Sequence, residues 1–263
     1  MPVYNAEKYL NTAIESILNQ TFNNYEFIIL DDASTDGSWD IIKRFANTDK
    51  RIVALRNSKN LRTTKTLNRG LKIAKGKYMV RMDADDWSYP DRLQKQFDFM
   101  ENHPEVGVSG GTIEICDQRL KVLNLRRYPQ TDENARKIIF RYSPFAHPAT
   151  IWRMKIIKEI GGYNENIPLS QDYELYFRVG QKSKFSNLSE VILKLRTHDD
   201  SSSLALGKSQ EQFALYSRIK AFLEYGYTMT TFDKAYTFLQ MLSLVIIPQK
   251  VKFWLFNFIR RQL

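Results

Sequence analysis

Aspartates at two places in the chain are the residues whose types and spacing are best suited to chemistry. Asp83 and Asp85 lie in the run DADD, and Asp31 and Asp32 open the run DDASTDGS. Carboxylate oxygens are the ligands preferred by Mg²⁺ or Mn²⁺, which often bridge to substrate phosphates. Alternation along an extended strand end would point Asp83 and Asp85 the same way. Taken alone, each run also fits a solvated turn.

Three further residues suit proton transfer or metal binding. Asp172, in QDYELYFRV, stands near a predicted helix start, where it could act as a general base or cap the helix. His147 and His198 follow or precede extended segments. Each histidine fits a structural role, and each could also bind a metal.

The first half of the chain alternates strand-like and helix-like segments. The predicted elements are Ala6–Gln20 (helix, with Asn5 as N-cap), Glu26–Asp32 (strand), Ser38–Ala46 (helix), Arg51–Asn57 (strand), Thr66–Ala74 (helix) and Tyr78–Asp83 (strand). This order predicts βαβ units, hence an α/β fold with a mostly parallel sheet flanked by helices. Both acidic runs follow strands, at the sheet edge where such folds bind their ligands.

The second half is less regular. The predicted elements are Val106–Asp117 (strand or hairpin), Asp132–Arg141 (helix), Thr150–Arg153 (strand), Asp172–Val179 (helix) and Phe185–Arg196 (extended). From about Ala205 the sequence is helical, aromatic and basic. We therefore expect a catalytic-type domain over residues 1–204 and a helical extension over 205–263.

Composition excludes several classes of protein. The 263 residues are 43% hydrophobic and 26% charged, which indicates a globular protein and excludes disordered, collagen-like and disulfide-scaffold classes. Cys116 is the single cysteine, so an internal disulfide is excluded, and the chain lacks a signal-peptide pattern. The apolar run Phe238–Ile247 is too short to span a bilayer. These features favour a cytoplasmic setting.

The net charge of +10 permits three kinds of partner: nucleic acid, an anionic membrane or a phosphorylated substrate. The sequence contains no nucleic-acid recognition motif. Residues 248–263 mix cations with aromatics, and their apolar residues recur at helical spacing, as in helices that lie on membranes. A helix packed on protein explains that pattern equally well. Peripheral contact with the inner face of the cytoplasmic membrane is thus one interpretation.

Seven motifs, in this order, resemble those of family 2 inverting glycosyltransferases with the GT-A fold, of the type found in bacterial polysaccharide biosynthesis. They are PVYNAEKYL, EFIILDDASTDGS, LNRGLKIAKGKYMVRMDADDWSYPDRLQKQ, AHPATIWR, GGYNEN, QDYELYFRV and LRTHDDSSS. The resemblance runs from Pro2 to about Ser203. It implies transfer of a sugar from a nucleotide-diphosphate donor, most commonly a UDP-sugar, to a hydroxyl of a saccharide or lipid-linked saccharide.

The resemblance also implies residue roles. Asp172 matches the base that deprotonates the acceptor, and Gly161 and Gly162 match the glycine loop before it. The metal ligands for Mg²⁺ or Mn²⁺ would be Asp83, Asp85 and His198. The residues around the nucleotide would be Pro2, Val3, Tyr4, Asp31, Asp32, Lys65, Arg81 and Asp83, with Lys65 and Arg81 on the diphosphate.

Three positions depart from the family pattern. The apolar strand that members carry before PVYN is reduced here to Met1, so we expect the first strand to be missing or truncated. Gln171 replaces the usual glutamate before the base. Because Asp172 itself is present, this change predicts an adjusted activity and not a lost one. Leu67 replaces an arginine, which leaves Lys65 as its substitute.

Two alternatives remain open from the sequence. A sugar nucleotidyltransferase would need a glycine-rich, basic loop after the first strand, where this chain has YNAEKY. An inactive, membrane-associated interaction protein is the other alternative, prompted by the shortened first strand. Metal-dependent release of nucleoside diphosphate from a sugar donor would favour the transferase over the inactive protein.

Overall fold

The computed structural model describes residues 1–198 and 207–246. Its first sheet has three parallel strands in the order β1 (Pro2–Val3), β2 (Phe27–Asp31) and β3 (Ile52–Arg56). Helices α1 (Glu7–Leu18) and α2 (Ser38–Thr48) connect them, as the alternating pattern predicts. Strand β1 is two residues long, and its Val3 is paired in register with Asp31.

The second sheet is mixed, which corrects the expectation of a mostly parallel sheet. Its order is β4 (Tyr78–Val80), β8 (Ile151–Arg153), β6 (Val106–Cys116), β9 (Lys184–Arg196) and β5 (Trp87–Ser88), and β7 (Val122–Arg126) pairs with β6. Strands β6 and β9 run parallel, whereas the other pairs are antiparallel. A short turn joins β6 to β7, and such turns can connect only antiparallel neighbours.

The remaining helices follow the periodicity of the sequence within a few residues. They are α3 (Arg62–Ile73), α4 (Arg92–Asn102), α5 (Asp132–Ile138), α6 (Met154–Glu159), α7 (Gln171–Gly180), α8 (Gly207–Glu224) and α9 (Thr231–Ile246). The predicted N-cap of α1 is wrong, because Ala6 occupies that position and Asn5 adopts φ +48°. The Asn5 side chain instead accepts a hydrogen bond from the Thr35 backbone, 2.8 Å away.

Two large hydrophobic clusters and a small one around Met100 hold these elements together. One joins both sheets, because it combines Val3 and Ile29 of the first with Ile113 and Leu193 of the second. The other centres on Trp152 and the α7 aromatics and includes Ala221 of α8, which is fully buried. Helix α8 therefore packs against α7, the helix that carries Asp172.

Two sequence predictions concern parts of the chain that the structure does not describe. The proposed boundary at residue 204 falls within 199–206, and the basic-aromatic segment 248–263 follows the last described helix. Within residues 1–198 and 207–246, every helix falls short of the length or hydropathy that crossing a membrane requires.

Candidate active site

Three carboxylates gather at the turn after β4. Single ligand atoms of Asp83, Asp85 and Asp86 all lie within 4.8 Å of one another. The chain turns at Ala84 and Asp85, so the strand alternation used to pair Asp83 with Asp85 does not apply. The turn also brings in Asp86, a residue that the sequence analysis left out of the site although it belongs to the same DADD run.

The end of β9 positions two of these acids. The Arg196 backbone N–H donates to Asp86 Oδ1 at 3.0 Å, and the Arg196 side chain donates to the Asp85 carbonyl at 2.7 Å. His198 Nε2 lies 2.9 Å from Asp85 Oδ2. The predicted metal ligands Asp83, Asp85 and His198 are therefore neighbours, with His198 paired to a carboxylate.

Burial and mutual repulsion make the ionised forms of these carboxylates unfavourable in the folded protein. Burial, followed by repulsion from Asp83, raises the pKa of Asp85 above its ordinary value. Burial raises the pKa of Asp86 well above its ordinary value, and the neighbouring carboxylates add to the shift. Asp86 Oδ2 is buried without a hydrogen-bond partner. Hard oxygen donors that crowd together in this way are suited to a divalent cation.

Arg81 connects the acidic cluster to Asp172. Its side chain is 6% exposed and forms an ion pair with Asp83. Burial raises the pKa of Asp172, and the charge of Arg81 opposes that shift. Burial lowers the pKa of His147, and the charge of Arg81 adds to that shift. The guanidinium is thus a buried positive charge that acts on groups from β4, the His147–Ala149 turn and α7.

Asp172 lies in the first turn of α7. Ser170 is the N-cap residue, with φ +54°, so Asp172 is an acid of the first turn and not the N-cap itself. Burial raises the pKa of the Asp172 carboxyl above its ordinary value, although the charge of Arg81 works in the opposite direction. A carboxylate with a raised pKa accepts protons more readily, which is what a general base needs.

The residues predicted to bind the nucleotide base form a second group at the end of β2. Asp32 is 4% exposed, and its Oδ1 accepts hydrogen bonds from Asn57 Nδ2 at 2.6 Å and from the Leu61 backbone at 2.8 Å. Asp31 is fully buried and ion-paired with Arg56 at 2.9 Å. Arg56 therefore offsets the charge of Asp31 within the protein.

The Pro2–Tyr4 segment runs alongside these acids. The backbone N–H of Asp32 donates to the Val3 carbonyl at 2.7 Å. Pro2 is partly buried and Val3 is buried, whereas the Tyr4 side chain is 51% exposed. An exposed tyrosine beside Asp32 offers a face on which a base could stack.

Lys65 is not brought to the acidic cluster. It is exposed on α3, at a cleft of about 290 Å³ that it shares with Asn68, Arg69 and Lys72. Leu67, at the position of the family's arginine, is buried in the core, 7% exposed. Periodicity could have separated the two, because residues two apart on a helix face different directions.

His147 has a structural partner. Its Nε2 lies 2.8 Å from the Tyr163 hydroxyl, and both side chains are buried. Burial, with the positive charge of Arg81, lowers the pKa of His147 well below its ordinary value. A neutral, hydrogen-bonded histidine in the core fits the structural interpretation.

The glycine pair lies in the loop before α7, next to a contact between this loop and α3. Gly161 and Gly162 both adopt left-handed backbone conformations, with φ +80° and +73°. Asn68 of α3 accepts from the Tyr163 N–H and donates to the Tyr163 carbonyl, both at 2.9 Å. A Cβ at Gly162 would lie 2.8 Å from Asn68 Oδ1, whereas a Cβ at Gly161 would meet open space.

We expect Gly162→Ala to destabilise the protein more than Gly161→Ala. Both variants should lose about 1–2 kcal/mol because alanine is strained in the left-handed region. Gly162→Ala should lose at least about 1 kcal/mol more because it displaces Asn68. The free energy of unfolding in urea measures the difference, and equal losses in the two variants would contradict it.

Residues 1–161 match the family model described as "Glycosyl transferase family 2". The glycosyltransferase MJ1057 of Methanocaldococcus jannaschii is 34% identical over 221 residues, which cover 82% of this chain and 76% of that protein. The amylovoran biosynthesis glycosyltransferase AmsE of Erwinia amylovora is 31% identical over 202 residues, which cover 75% of each chain.

Solved structures agree on the fold. S. aureus TarS 1–349 superposes with a TM-score of 0.66 at 20% identity, over 95% of this chain and 71% of that one. The mannosyltransferase PcManGT of Pyrobaculum calidifontis, in complex with GDP-Man and Mn²⁺, gives a TM-score of 0.65 at 16% identity, over 94% and 68%. The chain spans 40% of a longer TarS structure. These likenesses confirm the GT-A fold expected from the sequence motifs. The chain is a glycosyltransferase and belongs to glycosyl transferase family 2.

Proposed function

We propose that this glycosyltransferase is a metal-dependent, inverting enzyme that moves a sugar from a nucleotide-diphosphate donor to an acceptor hydroxyl. The observation that carries the proposal is the grouping of Asp83, Asp85 and Asp86 around Arg81, whose charge also acts on Asp172. One protein region thus combines candidates for cation binding, anion binding and proton acceptance. These are the three groups that such a transfer requires.

The metal site of the proposal consists of Asp83 and Asp85, with His198 beside them and Asp86 as an added candidate. Three crowded carboxylates and the unpartnered Asp86 Oδ2 support a divalent cation, either Mg²⁺ or Mn²⁺. PcManGT, which shares the fold, was solved with Mn²⁺. When bound, such a cation would offset negative charge on the leaving diphosphate.

Asp172 would accept the proton of the acceptor hydroxyl as the acceptor oxygen attacks the sugar's anomeric carbon. The bond to the diphosphate breaks on the opposite face, so the sugar's configuration inverts and no covalent intermediate forms. Arg81 would hold the diphosphate near Asp83 and stabilise its growing charge. The Gly161 and Gly162 loop would shape the approach to Asp172.

The donor base would be held by Asp32 and Tyr4, with Pro2 and Val3 forming one wall and Asp31 fixed behind them. Hydrogen bonds from Asn57 and the Leu61 N–H hold the Asp32 carboxylate in one position, which supports this proposal. Structures of TarS contain UDP and UDP-GlcNAc, and that of PcManGT contains GDP-Man. We propose a UDP-sugar as the donor, with Lys65 as a second diphosphate contact that would need α3 or the ligand to move.

The acceptor would be a saccharide or a lipid-linked saccharide in polysaccharide biosynthesis. AmsE, a relative by sequence, is named for the synthesis of the polysaccharide amylovoran. The sequence of residues 248–263 supplies cations and aromatics suited to an anionic membrane surface. A cytoplasmic enzyme that visits the inner face of the membrane would meet such an acceptor there.

A chain lacking residues 248–263 is expected to lose binding to anionic vesicles. Each cation near the surface contributes about 1 kcal/mol, and this segment carries four. Flotation with phosphatidylglycerol-containing vesicles measures the loss, and neutral phosphatidylcholine vesicles serve as the control. Unchanged flotation of the shortened chain would remove the membrane contact from the proposal.

The central test is metal-dependent release of nucleoside diphosphate. We expect the enzyme to release nucleoside diphosphate from one member of a panel of UDP- and GDP-sugars when Mn²⁺ or Mg²⁺ is present. The same donor should remain intact when EDTA is present. Thermal shift with the free nucleoside diphosphates identifies the base and needs no acceptor. Absence of nucleotide binding in calorimetry would favour the inactive, interaction-protein alternative.

A further inference from the structure

A cavity of about 380 Å³ lies between the loop before α7 and the first turns of α8. Its lining residues are Asn166, Gln212, Phe213 and Tyr216. Asn166 belongs to the loop that follows Gly162, and the other three belong to α8. Its volume falls within the range of about 300–1,000 Å³ that is typical of sites for small molecules.

This cavity adjoins the start of the helix that carries Asp172. Ser170, the N-cap of α7, donates a hydrogen bond to the Gln210 carbonyl at 2.9 Å. One turn into α7, the Tyr173 hydroxyl accepts from Arg218 Nε at 2.9 Å. Helix α8 is therefore fastened to α7 on both sides of the cavity's aromatic residues. A ligand held in the cavity would lie near the N-terminal end of the helix that carries the proposed base.

The chemistry of the lining suits a neutral sugar. Phe213 and Tyr216 supply aromatic faces, and Asn166 and Gln212 supply amides that both donate and accept hydrogen bonds. One face of a pyranose ring consists of apolar C–H groups, which pack on the negative face of an aromatic ring. The sugar's hydroxyl groups point sideways from that face, where amides can bind them.

A cleft on α3 provides a contrast. It is lined by Lys65, Arg69 and Lys72 and would attract an anion. Among the residues that the structure describes, the lining of the cavity on α8 is neutral and contains aromatic and amide side chains, without the aliphatic ones that an acyl chain would prefer. Sugar is therefore favoured over both phosphate and a lipid tail.

We propose that Asn166, Gln212, Phe213 and Tyr216 form a subsite that binds a sugar ring of the acceptor. That the bound sugar belongs to the acceptor rests on the proposed function, whereas saccharide binding itself is independent of it. Tyr216 is the principal stacking residue because its side chain is 51% exposed. The Lys220 ammonium, 5.9 Å from the ring centroid, steadies it from the next turn of α8.

Saturation-transfer NMR on the full chain tests the subsite directly. The probes are methyl glycosides of glucose, galactose, mannose and N-acetylglucosamine at millimolar concentration. We expect the wild type to bind at least one of them and Tyr216→Ala to weaken that binding about fivefold, since one aromatic contact of this kind is worth about 1 kcal/mol. Tyr216→Phe keeps the ring and should bind as the wild type does.

Phe238→Ala is the matched control. Phe238 is an aromatic residue of α9 with a similar exposure, 59%, and it lies outside the cavity. Its removal should leave glycoside binding unchanged. Equal binding by Tyr216→Ala and wild type would overturn the subsite, as would the absence of binding by every glycoside or Tyr216-dependent binding of a fatty acid instead.

Nucleotide binding, measured on the same samples by calorimetry, separates this inference from the proposed function. Tyr216→Ala should bind nucleoside diphosphate as the wild type does. A wild type that binds glycosides through Tyr216 but binds no nucleotide would contradict the proposed function and support the saccharide site. A wild type that binds nucleotide but no glycoside would contradict the saccharide site alone.

Discussion

Asp172→Asn is expected to lower the rate of sugar transfer by about 10²–10⁴-fold, which is the usual contribution of a general base. Asparagine has nearly the same shape as aspartate, but its amide oxygen cannot accept a full proton from the acceptor hydroxyl. The substitution also removes a carboxylate whose pKa is raised by burial, so the fold should tolerate it. Affinity for nucleoside diphosphate should stay within about twofold of the wild type.

Glu159→Gln provides the control for this experiment. Glu159 is an exposed acid at the end of α6, ion-paired with Lys182, and its neutralisation should leave transfer unchanged. Transfer is measured as sugar incorporated into acceptor at saturating donor, and nucleotide affinity by calorimetry. A wild-type transfer rate in Asp172→Asn would show that another group takes the proton.

The pH dependence of the wild-type enzyme should report the same group. Because burial raises the pKa of Asp172, the carboxyl should be protonated, and transfer lost, as the pH falls through a value above that of an ordinary aspartate. This loss of activity at low pH should be missing from the residual activity of Asp172→Asn. If the variant loses activity over the same pH range as the wild type, a different residue is responsible.

Local periodicity predicted the helices and strands well, because each has a buried face that its apolar residues mark. Strand β2, for example, was expected over Glu26–Asp32 and spans Phe27–Asp31. The pairing of distant strands was less predictable. Strand β9 lies parallel to β6 while β8 lies antiparallel to it, and nothing in either strand's own sequence encodes its neighbour.

The candidate site, too, was predicted only in part from the sequence. Asp83, Asp85 and His198 were predicted from motifs and lie together, because Arg196 at the end of β9 is hydrogen-bonded to the turn that carries the acids. Asp86 was missed because the run was treated as extended, whereas the chain turns there. Lys65 was chosen by its charge and its place in the sequence, but it lines a cleft on α3 that contains none of the three clustered aspartates.

Asp85→Ala is expected to weaken metal-dependent nucleotide binding by at least about tenfold. Asp85 would supply an oxygen ligand from the turn, and loss of one ligand from a site with few protein ligands should lower metal affinity strongly. His198 would also lose the carboxylate oxygen that lies 2.9 Å from its Nε2. Asp83→Ala should have the same effect to a smaller degree, because Arg81 and the remaining acids stay in place.

The measurement is the rise in unfolding temperature that Mn²⁺ and nucleoside diphosphate produce together. It should be large for the wild type, small for Asp85→Ala and abolished by EDTA in both. Asp98→Ala, at an exposed acid of α4, makes the same chemical change on the surface and should keep the full rise.

The metal-free protein distinguishes loss of a ligand from loss of the fold. Burial and Asp83 raise the pKa of Asp85, so its ionised form opposes folding at neutral pH, and its removal should not lower the unfolding temperature without metal. A lower unfolding temperature in that state would mean that Asp85 is a structural residue. A full metal-dependent rise in Asp85→Ala would place the cation elsewhere and remove the acidic cluster from the mechanism.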